Sequence, residues 1–278
     1  MVGIAALIAQ DASLVVVTRL ANGHGGSGAV VLYNYGWQMS FAVYAVLAVP
    51  IAVSAFPVLS ARDGAEFDAT AAFSTRAVLL VSCLGAALLA GAAVPAARLF
   101  ASHPAQARQL ALALAAFAPG VIGYGLIACL SRVLLADGRN RSAAAAMAGG
   151  WLIVIMVDVI AVKMVTARWV VPALGLGNTV GLVVSGAALL AAVWRARGPA
   201  ALHGTVRAAA AGLAGAVAGA AAGAGLSAAV PVTGFFPNAT VAVLACCAAV
   251  IAFGAAAYAL DGGDLRAVAA RTKRKVLP

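Results

Sequence analysis

A chain of 278 residues that is 64% hydrophobic and only 9% charged, with a mean hydropathy of +1.05, has too few polar side chains to coat a water-soluble core. Lipid must take the place of that polar skin, which excludes a soluble enzyme or soluble binding module. The net charge of +10 is not the mark of a nucleic-acid binder either, because the basic residues lack the interleaved aromatics such a surface needs.

A helix needs about 20 apolar residues to cross roughly 30 Å of hydrocarbon. Eight segments approach that length, the first over residues 3–20. It carries Gln10 and Asp11 in mid-run and no basic stretch before it, so it reads as a retained helix and not as a cleavable signal. The second, 29–58, contains YNYGWQMSFAVYAVLAVPIAVSAFPVLS, 28 residues (33–60) without a charge. Pro50 should kink it or mark a break, and Pro57 should act similarly near its end. Segments 74–97 and 108–135 follow, the latter with Pro119, which is expected to act as Pro50 does. The fifth, 143–165, places Asp158 within WLIVIMVDVIAVKMV. The sixth, 170–194, holds Asn178 and Thr179, and segments 207–230 and 238–260 complete the series. Backbone groups in hydrocarbon must be satisfied within their own segment, so the fold class is an all-α polytopic membrane protein with about eight transmembrane helices. The Gly and Ala that run through every segment let helix backbones approach closely.

Orientation follows from the basic residues. With the amino terminus inside, Arg19, Arg98, Arg108, Lys163 and Arg168 fall outside and the other 13 of the 18 Lys and Arg fall inside, which favours both termini in the cytoplasm. The tail RAVAARTKRKVLP, with Arg266, Arg271, Lys273, Arg274 and Lys275, is expected to lie against anionic membrane lipids, each charge worth about 1 kcal/mol near that surface.

Several motifs carry no chemistry. GLGNTVG, residues 175–181, follows no strand and lacks the spacing of a dinucleotide fingerprint. Cys83, Cys129, Cys246 and Cys247 have no metal spacing and sit in apolar stretches. His24, His103 and His203 belong to no HExxH or triad pattern, so no enzyme and no cofactor are expected. An acid at membrane depth is costly enough that Asp158 is read as functional, the alternative being a structural pairing with Lys163. Asp11 is a candidate cavity or ion-path residue, and Asn178 and Thr179 offer oxygens either to an ion or to a neighbouring helix.

The order of segments resembles a known family. The stretch from YNYGW to AFPVLS is similar to the eighth helix of MurJ/MviN-type lipid II flippases of the MOP superfamily, in an actinobacterial-like form. AARLFASHPAQARQLALALAAFAPGVIGYGL with LSRVLLADGRNRS resembles the ninth-to-tenth helix passage, and VVPALGLGNTVGLVVSGAALL resembles the twelfth helix. The resemblance covers nearly the whole chain and equates its eight segments with helices seven to fourteen. It implies a second six-helix lobe over 1–197, two additional carboxyl-terminal helices over 198–260 and a basic cytoplasmic tail over 261–278.

The resemblance further implies a bacterial cytoplasmic-membrane flippase, or part of one, that moves a lipid-linked peptidoglycan precursor (lipid II) by alternating access. Its partner would be an amino-terminal flippase half, from the same gene or an adjacent one. Tyr33, Asn34, Trp37, Gln38 and Arg132 join Asp11 as substrate or cavity candidates. Coupling to Na+ or H+ would involve Asp158, Asn178 and Thr179, Asp158 matching the eleventh-helix carboxylate and Asn178 the twelfth-helix Thr. Two positions depart from the pattern: Val16 or Val17 stands where the seventh helix has Asp, and Gly36 and Trp37 stand where many members have a cavity arginine. Two other functions therefore compete: a non-transporting membrane scaffold in cell-wall synthesis, and an exporter of another amphipathic substrate.

Overall fold

The computed structural model describes residues 2–101 and 103–276, with side chains over 6–101 and 103–260. Ser102 and the side chains of the basic tail lie outside the described residues. Among the described residues all regular structure is helical, and the ten α-helices are α1 (Val2–His24), α2 (Ala29–Leu47), α3 (Val49–Ser60), α4 (Gly64–Gly91), α5 (Ala93–Phe100), α6 (Pro104–Ala136), α7 (Asn140–Met164), α8 (Val170–Arg197), α9 (Thr205–Ala229) and α10 (Phe235–Val276). Six of them are long and apolar enough to cross a membrane, or seven if α2 and α3 count as one bent span. Each of the eight expected segments coincides with a helix or a pair of helices. The first coincides with α1, a 23-residue helix outside that set of six or seven, which carries Gln10, Asp11 and Arg19.

Proline explains where the long segments break. The second segment bends by 44° between α2 and α3, just ahead of Pro50, which sits in the first turn of α3 where its missing N–H costs nothing. α4 gives way to α5 at Ala92, and Pro95 in the first turn of α5 has no N–H to offer the Gly91 carbonyl four residues back. Ser227 of α9 reaches that gap, its one hydroxyl proton shared between Gly223 O of its own helix at 2.9 Å and Gly91 O at 3.3 Å. Pro119 by contrast lies inside a single 33-residue helix, α6.

The third segment departs from expectation at its start, since α4 begins at Gly64 and not near residue 74. Its extra turns carry the exposed Glu66 and the half-buried Asp68, which both depress hydropathy, and Asp68 serves packing. Arg197, at the end of α8, donates from Nε to Asp68 Oδ1 at 2.9 Å, from Nη1 to Asp137 Oδ1 at 3.4 Å and from Nη2 to Gly64 O at 3.1 Å. Its guanidinium also lies 4.5 Å from the Phe67 ring centroid. One planar fork thus ties α4, the end of α6 and α8 together with its donors spread over three acceptors. Arg197→Gln should lower the stability of the detergent-solubilised protein by about 2 kcal/mol, because the largely buried Asp68 loses its cation while Asp137 keeps Arg139 at 3.0 Å. An unchanged thermal midpoint would mean that solvent already screens the cluster.

The largest core cluster includes Phe117 of α6, which meets Tyr33 of α2 at 5.5 Å between ring centroids. Gly36 and Gly175 allow this: a Cβ at either would come within about 3 Å of the Phe117 ring. The pair α9 and α10 packs on α4 through a face of small residues, Ala208, Gly212, Gly215, Gly219 and Gly223, at helical spacing.

Candidate functional site

Asp158 is fully buried, at 0% exposure, and both of its oxygens lack a hydrogen-bond partner. It lies against α8 at Gly177, where a side chain would collide with Oδ1, so the bare backbone of GLGNTVG makes room for the carboxylate. The next residue, Asn178, is 1% exposed, and neither its amide oxygen nor its nitrogen is paired. Tyr33 of α2 lies within Coulomb reach of Asp158, and Tyr124 of α6 neighbours Asn178. Thr179 is engaged otherwise: its hydroxyl donates to Ala116 O of α6 at 2.6 Å, within a turn of Pro119. Lys163 is exposed near the end of α7, and no ion pair joins it to Asp158. A buried polar group without a partner is costly. Two on adjoining helices mark a place where folding stability has been given up.

α1 runs beside α7, and a cavity between them sets their register: Ala6, Leu7 and Gln10 face Met147, Gly150 and Trp151. Val17, one of the two residues standing where the resemblance expects an α1 carboxylate, is 2% exposed and belongs to the same core cluster as Tyr33 and Phe117, and its side chain has no oxygen to offer.

The cavity has a volume of about 260 Å³; α2 and α6 line it with Phe41, Tyr44 and Tyr124, and α8 with Leu182 and Ser185. Trp37 donates from Nε1 to the Tyr124 hydroxyl at 3.2 Å. Trp37 stacks on Phe41 at 5.6 Å, and Tyr44 stacks on Tyr124 at 5.1 Å. Tyr44, Tyr124 and Trp151 were not legible as site residues. The one available signal was that Trp37, Phe41 and Tyr44 recur at helical spacing. Arg132 does not line this cavity; its Nη1 donates to Ala128 O of its own helix at 2.6 Å.

The expected site residues therefore divide. Asp158, Asn178 and Tyr33 come together in the interior, with Thr179 beside them. Asp11 on α1 and Asn34 and Gln38 on α2 are exposed instead. Trp37 and Arg132 are half-buried. The position expected to hold an arginine in the family is closed twice over, Gly36 by its contact with Phe117 and Trp37 by its bond to Tyr124.

No protein-family model matches the chain, and no curated protein matches it. Among solved structures it is similar to the lipid II flippase MurJ in an inward closed conformation, with a TM-score of 0.68 and 14% sequence identity. The superposition covers 91% of this chain and 52% of that one. The chain thus spans about half the length of the flippase it matches, and it has the fold of that half.

Proposed function

We propose that this chain is the carboxyl-terminal half of a MOP-type lipid flippase, which joins an amino-terminal half to move a lipid-linked peptidoglycan precursor across the cytoplasmic membrane. The observation that carries the reading is the polar face on α1 and α2. Asp11, Asn34 and Gln38 are exposed on helices that the chain would embed in hydrocarbon, where a carboxylate or carboxamide is expensive. A second lobe facing them across water removes that cost. The likeness to half of MurJ supports the same arrangement. A charged head group cannot cross hydrocarbon unaided, so the cavity shelters it while its lipid tail stays in the bilayer. The lobes rock to open the cavity to each side in turn.

Within this scheme Asp158 is the residue whose charge the lobe can change. A sodium ion, as a hard cation, takes several oxygen ligands. Asp158 and Asn178 supply unpartnered oxygens, but Val17 supplies none from α1, so the side chains do not complete a shell and no step of the mechanism runs through sodium. A proton needs only one carboxylate oxygen, and Asp158 offers two. The closed position at Gly36 and Trp37 favours a second reading of the substrate: an amphipathic molecule other than lipid II, unless the other lobe supplies the phosphate contacts.

The test is transport of a fluorescent lipid-linked precursor into the outer leaflet of vesicles holding this chain with its amino-terminal half. Transport that requires both halves is expected. Assembly of both halves without transport of any amphipathic substrate would leave the scaffold reading in its place. The proposed orientation is checked separately in a cysteine-free background: a cysteine at Gly234 should react with an impermeant reagent applied from outside, and one at Asp63 should not. The reverse pattern would invert the topology.

A further inference from the structure

A second and larger cavity, about 860 Å³, lies where the start of α6 meets α5 and the turn between α9 and α10. Its size falls within the range of about 300–1,000 Å³ typical of ligand pockets. Arg98, His103 and Arg108 line it, together with Asn238. Asn238 is 3% exposed; its Nδ2 donates to Gly234 O at 2.7 Å, while its Oδ1 is buried with no partner. Arg98 reaches Val232 O from Nη1 at 3.4 Å. None of the chain's eight Asp and Glu residues falls between 69 and 136 or between 159 and 260, so the loops at this end hold no carboxylate to neutralise the two arginines. Away from the cations the walls are apolar, with Ala107, Ala111 and Ala115 one turn apart on α6 and Leu112 beside them. Phe100, Phe235 and Phe236 are exposed around this end of the bundle, at the level where aromatic side chains mark the edge of hydrocarbon.

From this cavity we infer a binding site for an anionic phospholipid, its phosphate held by Arg98 and Arg108 and an acyl chain laid along the small residues of α6. Cations at one end and an apolar slot at the other match a molecule with an anionic head and a hydrocarbon tail. Guanidinium groups suit phosphate because they can donate to two of its oxygens at once. A soluble anion would leave the apolar slot unfilled, and a neutral lipid would leave the arginines without a counter-charge. The site stands apart from both Asp158 and the 260 Å³ cavity between α1 and α7, and does not depend on what either carries.

The probe is phosphatidylglycerol with a photoactivatable group on its acyl chain, incorporated into nanodiscs with the full-length protein, and the cross-linked residues are mapped. Cross-links are expected on α6 around Leu112. They should fall at least fivefold when the probe is phosphatidylcholine, or when the protein carries Arg98→Gln with Arg108→Gln. The tail is intact in the double variant as well, so it cannot produce the difference between variant and parent, and cross-links mapped to α6 and not to the tail separate the two sources of phosphatidylglycerol preference. Helical circular dichroism of the double variant should match the parent, which separates loss of binding from loss of fold; if it unfolds, Arg108→Gln alone is compared. Equal labelling by the two lipids, equal labelling of the folded variant, or competition by inorganic phosphate as strong as by unlabelled phosphatidylglycerol would each overturn the assignment.

Discussion

Asp158→Asn should abolish or cut transport by at least tenfold while making the protein no less stable, and more stable by about 1–3 kcal/mol. The two effects have opposite signs for one reason. Asp158 is buried with neither oxygen paired, so the folded state bears the cost of desolvating a carboxylate or of holding it neutral. An amide of the same shape removes that cost, and it also removes the site's ability to gain or lose a proton. A structural carboxylate behaves differently: its loss would lower stability and leave transport proportional to the amount of folded protein. Gly177→Ala provides a companion measurement, because the new methyl group would occupy the place of Asp158 Oδ1 and displace the carboxylate without changing its chemistry. Transport should fall in that variant as well, and its failure to fall would argue that the carboxylate's position against α8 is immaterial.

The second large effect is expected at Gly223→Leu. A Cβ at Gly223 would lie 2.8 Å from Gly91 Cα and 3.0 Å from Ala245 O, so the backbones of α4, α9 and α10 meet there with no room for a side chain. Backbone cannot yield as a flexible side chain can, and overpacking at such a crossing costs about 1–3 kcal/mol or more. The nearby bond from Ser227 to Gly91 O would be pulled apart too, leaving a carbonyl that Pro95 cannot serve. The expected result is that α9 and α10 detach from α4, read as a lower thermal midpoint and as loss of a disulfide engineered between α4 and α9. Retention of that disulfide with an unchanged midpoint would mean that the helices are held by contacts elsewhere. Gly225, around whose Cβ position there is open space, is the control, and Gly225→Leu should be nearly neutral.

What was legible in the sequence follows from which forces act locally. Hydropathy over some 20 residues is a local quantity, so each of the eight apolar segments found its helix. Proline chemistry is local too, and Pro50 marked the bend between α2 and α3. The early start of α4 was hidden because Glu66 and Asp68 look like a loop until Arg197 is brought to Asp68 from 129 residues away. Site residues divide along the same line. Asp158 was conspicuous because a charge in an apolar run is anomalous wherever the chain folds. Its isolation from Lys163, the neighbourhood of Tyr33 and the Trp37–Tyr124 bond depend on how α2, α6, α7 and α8 pack, which no local pattern encodes. Arg132, a cavity candidate only through the family resemblance, is half-buried and its Nη1 donates to Ala128 O of its own helix, an orientation no local pattern encodes.

The account rests on one claim above the others, that the polar face of α1 and α2 looks onto water enclosed by a second lobe and not onto lipid. Spin labels at Asn34 and Gln38, compared with labels at Ile160 and Val217 on exposed apolar positions of α7 and α9, test this in native membranes. The account predicts that the first pair is relaxed by a water-soluble nickel chelate and the second pair by oxygen dissolved in the bilayer. Oxygen access at Asn34 and Gln38 equal to that at Ile160 and Val217, with no response to nickel, would contradict it.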